Sequence, residues 1–99
     1  QFHCDYATVG CGNVNGTHIQ MAQGTAEADH FVEVTFTAGA GIISAGGQSG
    51  EIQTRNNKTD WSNYDETNDY SFDASKTQFT NWDRVTLYLN GQLVWGIEP

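Results

Sequence analysis

Residues 60–70 read Asp60-Trp61-Ser62-Asn63-Tyr64-Asp65-Glu66-Thr67-Asn68-Asp69-Tyr70, the densest mixture of aromatic rings and oxygen donors in the chain. Two chemistries follow. Asp65, Asn68 and Asp69, with Thr67 and backbone carbonyls close by in sequence, are hard oxygen donors of the kind calcium prefers, at spacings that one turn can fold around an ion. The Gly and closing Glu of an EF-hand loop are missing, and the competing reading is a solvated acidic turn. Trp61 has no apolar sequence neighbours to bury it, so it is a candidate exposed platform. The C–H face of a pyranose packs on such a ring, while Arg, Asp, Gln and Asn side chains fork onto its hydroxyls. The alternative folds Trp61 back over its own loop. Trp82 and Trp95, which flank the C-terminal strand pair, read as structural.

Other constellations are weaker. A glycosidase needs two carboxylates facing each other across a cleft; the chain has 12 acidic residues, and none sits in a recognisable motif. His3, His18 and His30 have neither metal-ligand nor triad spacing. No catalytic residue is assigned, and the chain is not read as an enzyme. Cys4 and Cys11 flank a turn-like segment, Ala7 to Gly10, and in a small acidic domain such a pair forms a disulfide. Closing so short a loop contributes about 2–3 kcal/mol. Two reduced thiols, or a metal held by the pair, are the alternatives.

The elements that must position these residues are β-type. Short runs bounded by Gly, Asn and Ser recur along the chain, and helix signals are almost absent, which predicts an all-β antiparallel sandwich of jelly-roll type. His30 to Thr37 alternates Val32, Val34 and Phe36 against polar residues and predicts one buried face. Thr17 to Met21 is a weaker strand before it. Glu51 to Arg55 places Gln53 and Arg55 together on a polar face. Arg84 to Leu89 and Gln92 to Trp95 flank Asn90-Gly91, the favoured pair for a type I′ hairpin turn. With Leu89 opposite Gln92, Val85, Leu87, Leu89 and Val94 share one face, and Tyr88, Leu93 and Trp95 the other.

Composition sets the class of partner. With 99 residues and a net charge of -8, from 4 Lys and Arg against 12 Asp and Glu, the chain reads as a single domain over 1–99. Nucleic acid and anionic membrane are disfavoured. No apolar run approaches the roughly 18 residues of a spanning helix, and Gln1-Phe2-His3-Cys4 lacks the regions of a signal peptide. The expectation is a mature or excised module, secreted and extracellular. Polarity comes instead from Thr, Asn, Gln, Ser and Gly with interspersed Trp and Tyr, which suits a neutral polyhydroxyl partner such as a sugar.

The residues resemble a known family. Asp60 to Tyr64, Thr67 to Phe72 and Trp82 to Gly96 through Glu98-Pro99 are similar to the C-terminal part of family 3 carbohydrate-binding modules, the cellulose-binding domains of bacterial cellulases and cellulosome scaffolds. The likeness continues through Cys4 to Ala7, Phe31 to Phe36 and Gln53 to Arg55. The resemblance implies a jelly roll with a flat strip that lies along a glucan chain. Its Trp falls on Trp61, its Arg on Arg55, a polar anchor on Gln53, its Asp on Asp5, and its His on Tyr6, which keeps a planar ring. It also implies calcium held by Asp65, Asn68 and Asp69, an ion that would hold the loop carrying Trp61. Family 3 modules are about half as long again, and their N-terminal third has no counterpart here. The chain thus resembles a compact variant like the small β-glucan-binding modules of family 81, which implies a cleft for one soluble glucan chain. The expected function is a non-catalytic module that binds β-1,4-glucan and targets an attached glycoside hydrolase to plant cell wall. The alternative is a protein-interaction or scaffold module using the outer face of the hairpin, with Tyr88 and Trp95.

Overall fold

The structure, a computed structural model, describes residues 1–99. All regular structure apart from two single 3-10 turns is β: β1 (Phe2–Ala7), β2 (Val14–Gln20), β3 (His30–Phe36), β4 (Ile52–Asn56), β5 (Leu87–Leu89) and β6 (Gln92–Trp95). They form three two-stranded antiparallel sheets, β1–β4, β2–β3 and β5–β6. The chain divides into two compact units. One comprises Gln1–Met21 with His30–Tyr64 and holds β1 to β4; the other comprises Ala22–Asp29 with Asp65–Pro99 and holds β5 and β6.

In the first unit, β2 and β3 pair in unbroken register from Val14 opposite Phe36 to Gln20 opposite His30. Strand β2 begins at Val14, three residues before the expected start at Thr17. Gly16 hides it in the sequence, because glycine inside a strand is disfavoured unless another group approaches closely. Here that group is the Phe2 ring, into which a Cβ at position 16 would run. Asn13 ties the end of β3 to the turn before β2: its Nδ2 donates to Val9 O at 2.8 Å, and its Oδ1 accepts from Thr37 Oγ1 at 2.6 Å.

Strand β1, which no alternation announces, pairs with β4 through Phe2–Asn56, His3–Arg55 and Cys4–Thr54, and then through Tyr6–Gln53 and Ala7–Ile52. Asp5 is the extra residue of a bulge. Cys4, next to the bulge, is joined by a disulfide to Cys11 at the start of a 3-10 turn, with their Cα atoms 5.6 Å apart. The pairing favoured from sequence is therefore the one formed.

The apolar stripe expected to be buried on β3 is not. Val32, Val34 and Phe36 are 38%, 40% and 49% exposed, and only Ala7 and Val14 fall below a tenth. A sheet face is buried only where another layer packs on it, and the β2–β3 ribbon is two strands wide.

In the second unit, Asn90 and Gly91 have φ of 51° and 80°, the two positive values of a type I′ turn. Leu89 stands opposite Gln92 as expected, but a bulge between Leu87 and Tyr88 then sets Leu87 opposite Trp95. Val94 was expected there, so Trp95 changes partner. Residues 84–86, expected to extend β5, lie outside it, after a turn in which Val85 N–H donates to Trp82 O at 3.2 Å.

Candidate functional site

On β4, Gln53 and Arg55 are two residues apart and so point to one face of the β1–β4 pair. Tyr6, opposite Gln53, shares that face. Strict alternation from His3, which stands opposite Arg55, would put Asp5 on this face and send Tyr6 to the other side. The bulge cancels this by setting two residues of β1 against one of β4, which returns Tyr6 to a place opposite Gln53 beside Asp5. Arg55 Nε donates to both Asp5 carboxylate oxygens, at 3.0 and 2.9 Å. Four residues named from sequence, Asp5, Tyr6, Gln53 and Arg55, thus occupy one solvent-facing surface.

Each is exposed. Tyr6 is 49% accessible, so its ring is open to a flat apolar ligand. The Asp5–Arg55 pair is a surface ion pair, worth at most about 1 kcal/mol to folding, and its main effect is to hold the guanidinium plane in place. Gln53 Nε2 donates to Glu51 Oε1, which orients the amide. His3, given no role from sequence, lies opposite Arg55 at the edge of this surface, its Nε2 2.6 Å from Asn57 Oδ1.

Trp61 lies outside the sheet, on the loop five residues past the end of β4. It is 66% exposed, the most accessible of the three tryptophans, so the platform arrangement is the one adopted and the mini-core is not. A turn presents it: Trp61 N–H donates to Lys58 O at 3.0 Å, and Trp61 takes φ of 61°. Asp60 then straddles it. Ser62 N–H and Ser62 Oγ both donate to Asp60 Oδ1, at 3.0 and 2.8 Å. The Ser62 backbone bond first, and its hydroxyl second, hold the Asp60 carboxyl below its ordinary value, with Lys58 adding a smaller contribution. Tyr64, another half-exposed ring, carries the Lys58 ammonium 5.3 Å from its centre. Its place in the Asp60–Tyr64 run was the only sequence sign of it.

In the second unit, Asp65 Oδ1 accepts from Thr67 Oγ1 at 2.6 Å and from Thr67 N–H at 3.1 Å, and these bonds hold its carboxyl below the ordinary value. Asp69 N–H closes the turn onto Glu66 O at 3.0 Å. Asp65, Asn68 and Asp69 are right in kind for calcium. They supply about three to five of the roughly six to eight oxygens that the ion takes, so backbone carbonyls and water would have to complete the shell. No group of three or more His, Cys, Asp or Glu side chains is gathered for a metal.

Tyr70, Trp82, Tyr88 and Trp95 of this unit are engaged within it. Lys76 Nζ stands 4.5 Å from the Trp82 ring centre, and the Arg84 guanidinium 5.0 Å from that of Tyr70. Trp82 Nε1–H donates to Ser71 O at 2.9 Å, and Trp95 Nε1–H to Trp82 O at 3.3 Å. Tyr88 OH donates to Glu98 Oε1 at 2.6 Å, a bond that raises the phenol above its ordinary value. An open groove of about 460 Å³ beside Tyr70, Trp82 and Arg84 therefore offers rings already covered by cations of the same chain.

The family model described as the cellulose binding domain matches residues 1–96. The chain belongs to the family 3 carbohydrate-binding modules. Similar proteins include an endoglucanase A of Paenibacillus lautus, 55% identical over 98 residues, which cover 96% of this chain and 13% of that protein. Another is a xyloglucanase of a Paenibacillus species, 52% identical, of which the chain spans 9%. Among solved structures, the family 3b module of the major scaffoldin subunit of Acetivibrio cellulolyticus superposes with a TM-score of 0.84 at 40% identity, covering 99% of this chain and 63% of that one. The family 3b module of the cellobiohydrolase 9A of Clostridium thermocellum gives 0.81 at 40% identity, covering 98% and 62%. The module thus spans under two thirds of these solved relatives and a small part of the two enzymes. Its fold class is the antiparallel β-sandwich of jelly-roll type, and its role is carbohydrate binding without catalysis.

Proposed function

We propose that this module binds β-1,4-glucan, as cellulose, cello-oligosaccharides or a related β-glucan, through Asp5, Tyr6, Gln53, Arg55 and Trp61. In that role it holds an attached glycoside hydrolase against plant cell-wall polysaccharide outside the cell. The observation that carries this reading is the bulge at Asp5, which gathers an open ring, a fixed ion pair and an oriented amide on one surface. A glucan presents alternating C–H faces and equatorial hydroxyls along a line. Tyr6 and Trp61 supply stacking, and Asp5, Arg55 and Gln53 supply donors and acceptors that set the orientation. Each stacking contact adds about 0.5–1.5 kcal/mol beyond the apolar area it buries, and so few exposed contacts give micromolar affinity or weaker.

A binding panel tests the substrate class: pull-down on crystalline cellulose beside affinity electrophoresis in hydroxyethyl cellulose, xyloglucan, mixed-linkage glucan and xylan. Retardation by the glucans and none by xylan is expected. Equal retardation by xylan would mean that the strip does not read the β-1,4-glucan backbone. Reducing-sugar release from cello-oligosaccharides is expected to stay at background.

We further propose that Asp65, Asn68 and Asp69 hold a structural calcium ion. None of the three belongs to the glucan strip, so chelator is expected to lower the melting temperature more than it lowers glucan affinity. An unchanged melting curve in chelator would remove the ion from the account.

A further inference from the structure

Trp61 occupies a backbone conformation that its residue type disfavours. At φ of 61° it lies in the left-handed region, where glycine and asparagine are at home and a bulky side chain is strained. Strain of this kind persists only where the surroundings hold it, and it gathers at functional positions. The surroundings here are few. The preceding turn is closed by the Trp61 N–H bond to Lys58 O, and Asn57 Nδ2 braces that same carbonyl at 2.9 Å. On the far side, the only clamps across Trp61 are the two bonds from Ser62 to Asp60 Oδ1. Burial gives little support, since residues 59–63 are all exposed.

From this arrangement we infer that Asp60 is a positioning residue for glucan binding: its carboxylate, by accepting two hydrogen bonds from Ser62 across Trp61, keeps the indole in its strained, outward pose before the ligand arrives. The inference rests on the reading of Trp61 as a stacking platform and adds to it the residue that pre-organises the ring. Without the clamp, Trp61 relaxes to ordinary backbone angles and the loop samples other poses. Binding then has to restore the order that the free protein had already established. Asp60 itself need not touch the sugar.

The experiment is a set of isotherms on regenerated cellulose, with melting temperatures, for Asp60→Ala, Asp60→Asn, Trp61→Ala and the double variant Asp60→Ala/Trp61→Ala. Asp60→Ala is expected to weaken association about tenfold with an unchanged melting temperature. Asp60→Asn keeps the accepting Oδ1 and is expected to bind within about twofold of the parent protein. In the Trp61→Ala background, where the residual binding, about a hundredfold weaker, is read from isotherms carried to correspondingly higher protein concentration, Asp60→Ala is expected to have no further effect, which a direct contact or a general structural role would not produce. Wild-type binding by Asp60→Ala, alongside lost binding by Trp61→Ala, overturns the inference and leaves the proposed strip intact. Equal losses for Ala and Asn at position 60 overturn it in favour of a direct role for the charge. Undiminished binding by Trp61→Ala overturns the platform reading itself.

Discussion

Trp61→Ala is expected to abolish retention on cellulose while leaving the melting temperature within about 2 °C of the parent protein. Both parts follow from exposure. The indole is 66% accessible and residues 59–63 of its loop are all exposed, so truncation opens no cavity of the kind that makes core substitutions costly. The backbone at position 61 gains slightly, because alanine tolerates the left-handed region better than tryptophan does. On the binding side, one ring face covered by a sugar removes on the order of 80 Å² of apolar surface, worth about 2 kcal/mol at about 25 cal/mol per Å². Specific stacking geometry adds about 0.5–1 kcal/mol. The loss is then roughly a hundredfold in Kd, and a module of micromolar affinity is no longer retained. Depletion isotherms together with calorimetry check both halves. Preserved retention would move the site elsewhere, to the face of β5–β6 that carries Tyr88 and Trp95.

Removing the Cys4–Cys11 disulfide is expected to have the largest effect on folding. The bridge joins residues seven positions apart, for which loop-closure entropy gives about 2.5 kcal/mol. With Ala7 and Val14 as the only residues below a tenth accessible, hydrophobic burial leaves little reserve. A paired Cys4→Ser/Cys11→Ser variant should melt on the order of 10 °C lower. Glucan affinity should fall with it, because Cys4 immediately precedes the bulge that sets Tyr6 beside Asp5. Thermal scans of the variant and of reduced protein read the first effect, and electrophoretic retardation well below the melting temperature reads the second. A melting temperature within about 2 °C of the parent would show that the β1–β4 pairing holds the turn without the bridge.

What could be read in advance depended on how local the determinant was. The hairpin turn was legible because two adjacent residues, Asn90 and Gly91, carry the positive φ values themselves. The β3 strand was legible from alternation, and the disulfide from two cysteines across a turn. Strand β1 was not, because His3, Cys4 and Asp5 break the period of two, and only the hydrogen bonds of β4 hold the segment extended. The long motifs from Asp60 onward gave the family. They did not give the conformation of Trp61, which turns on bonds from Lys58 and Ser62 rather than on its own preference.

By itself, then, the sequence determined the β class, the neutral sugar-like partner and the family, and it named the residues proposed for the strip, since each follows from residue type, short-range pattern or motif. The tertiary structure decided which way the side chains face. Alternation along β1 places Asp5 and Tyr6 on opposite sides. One unpaired residue in the register with β4 brings both to the surface that holds Gln53 and Arg55. Register is a property of two strands some fifty residues apart, and a shift of one position reverses every side chain beyond it.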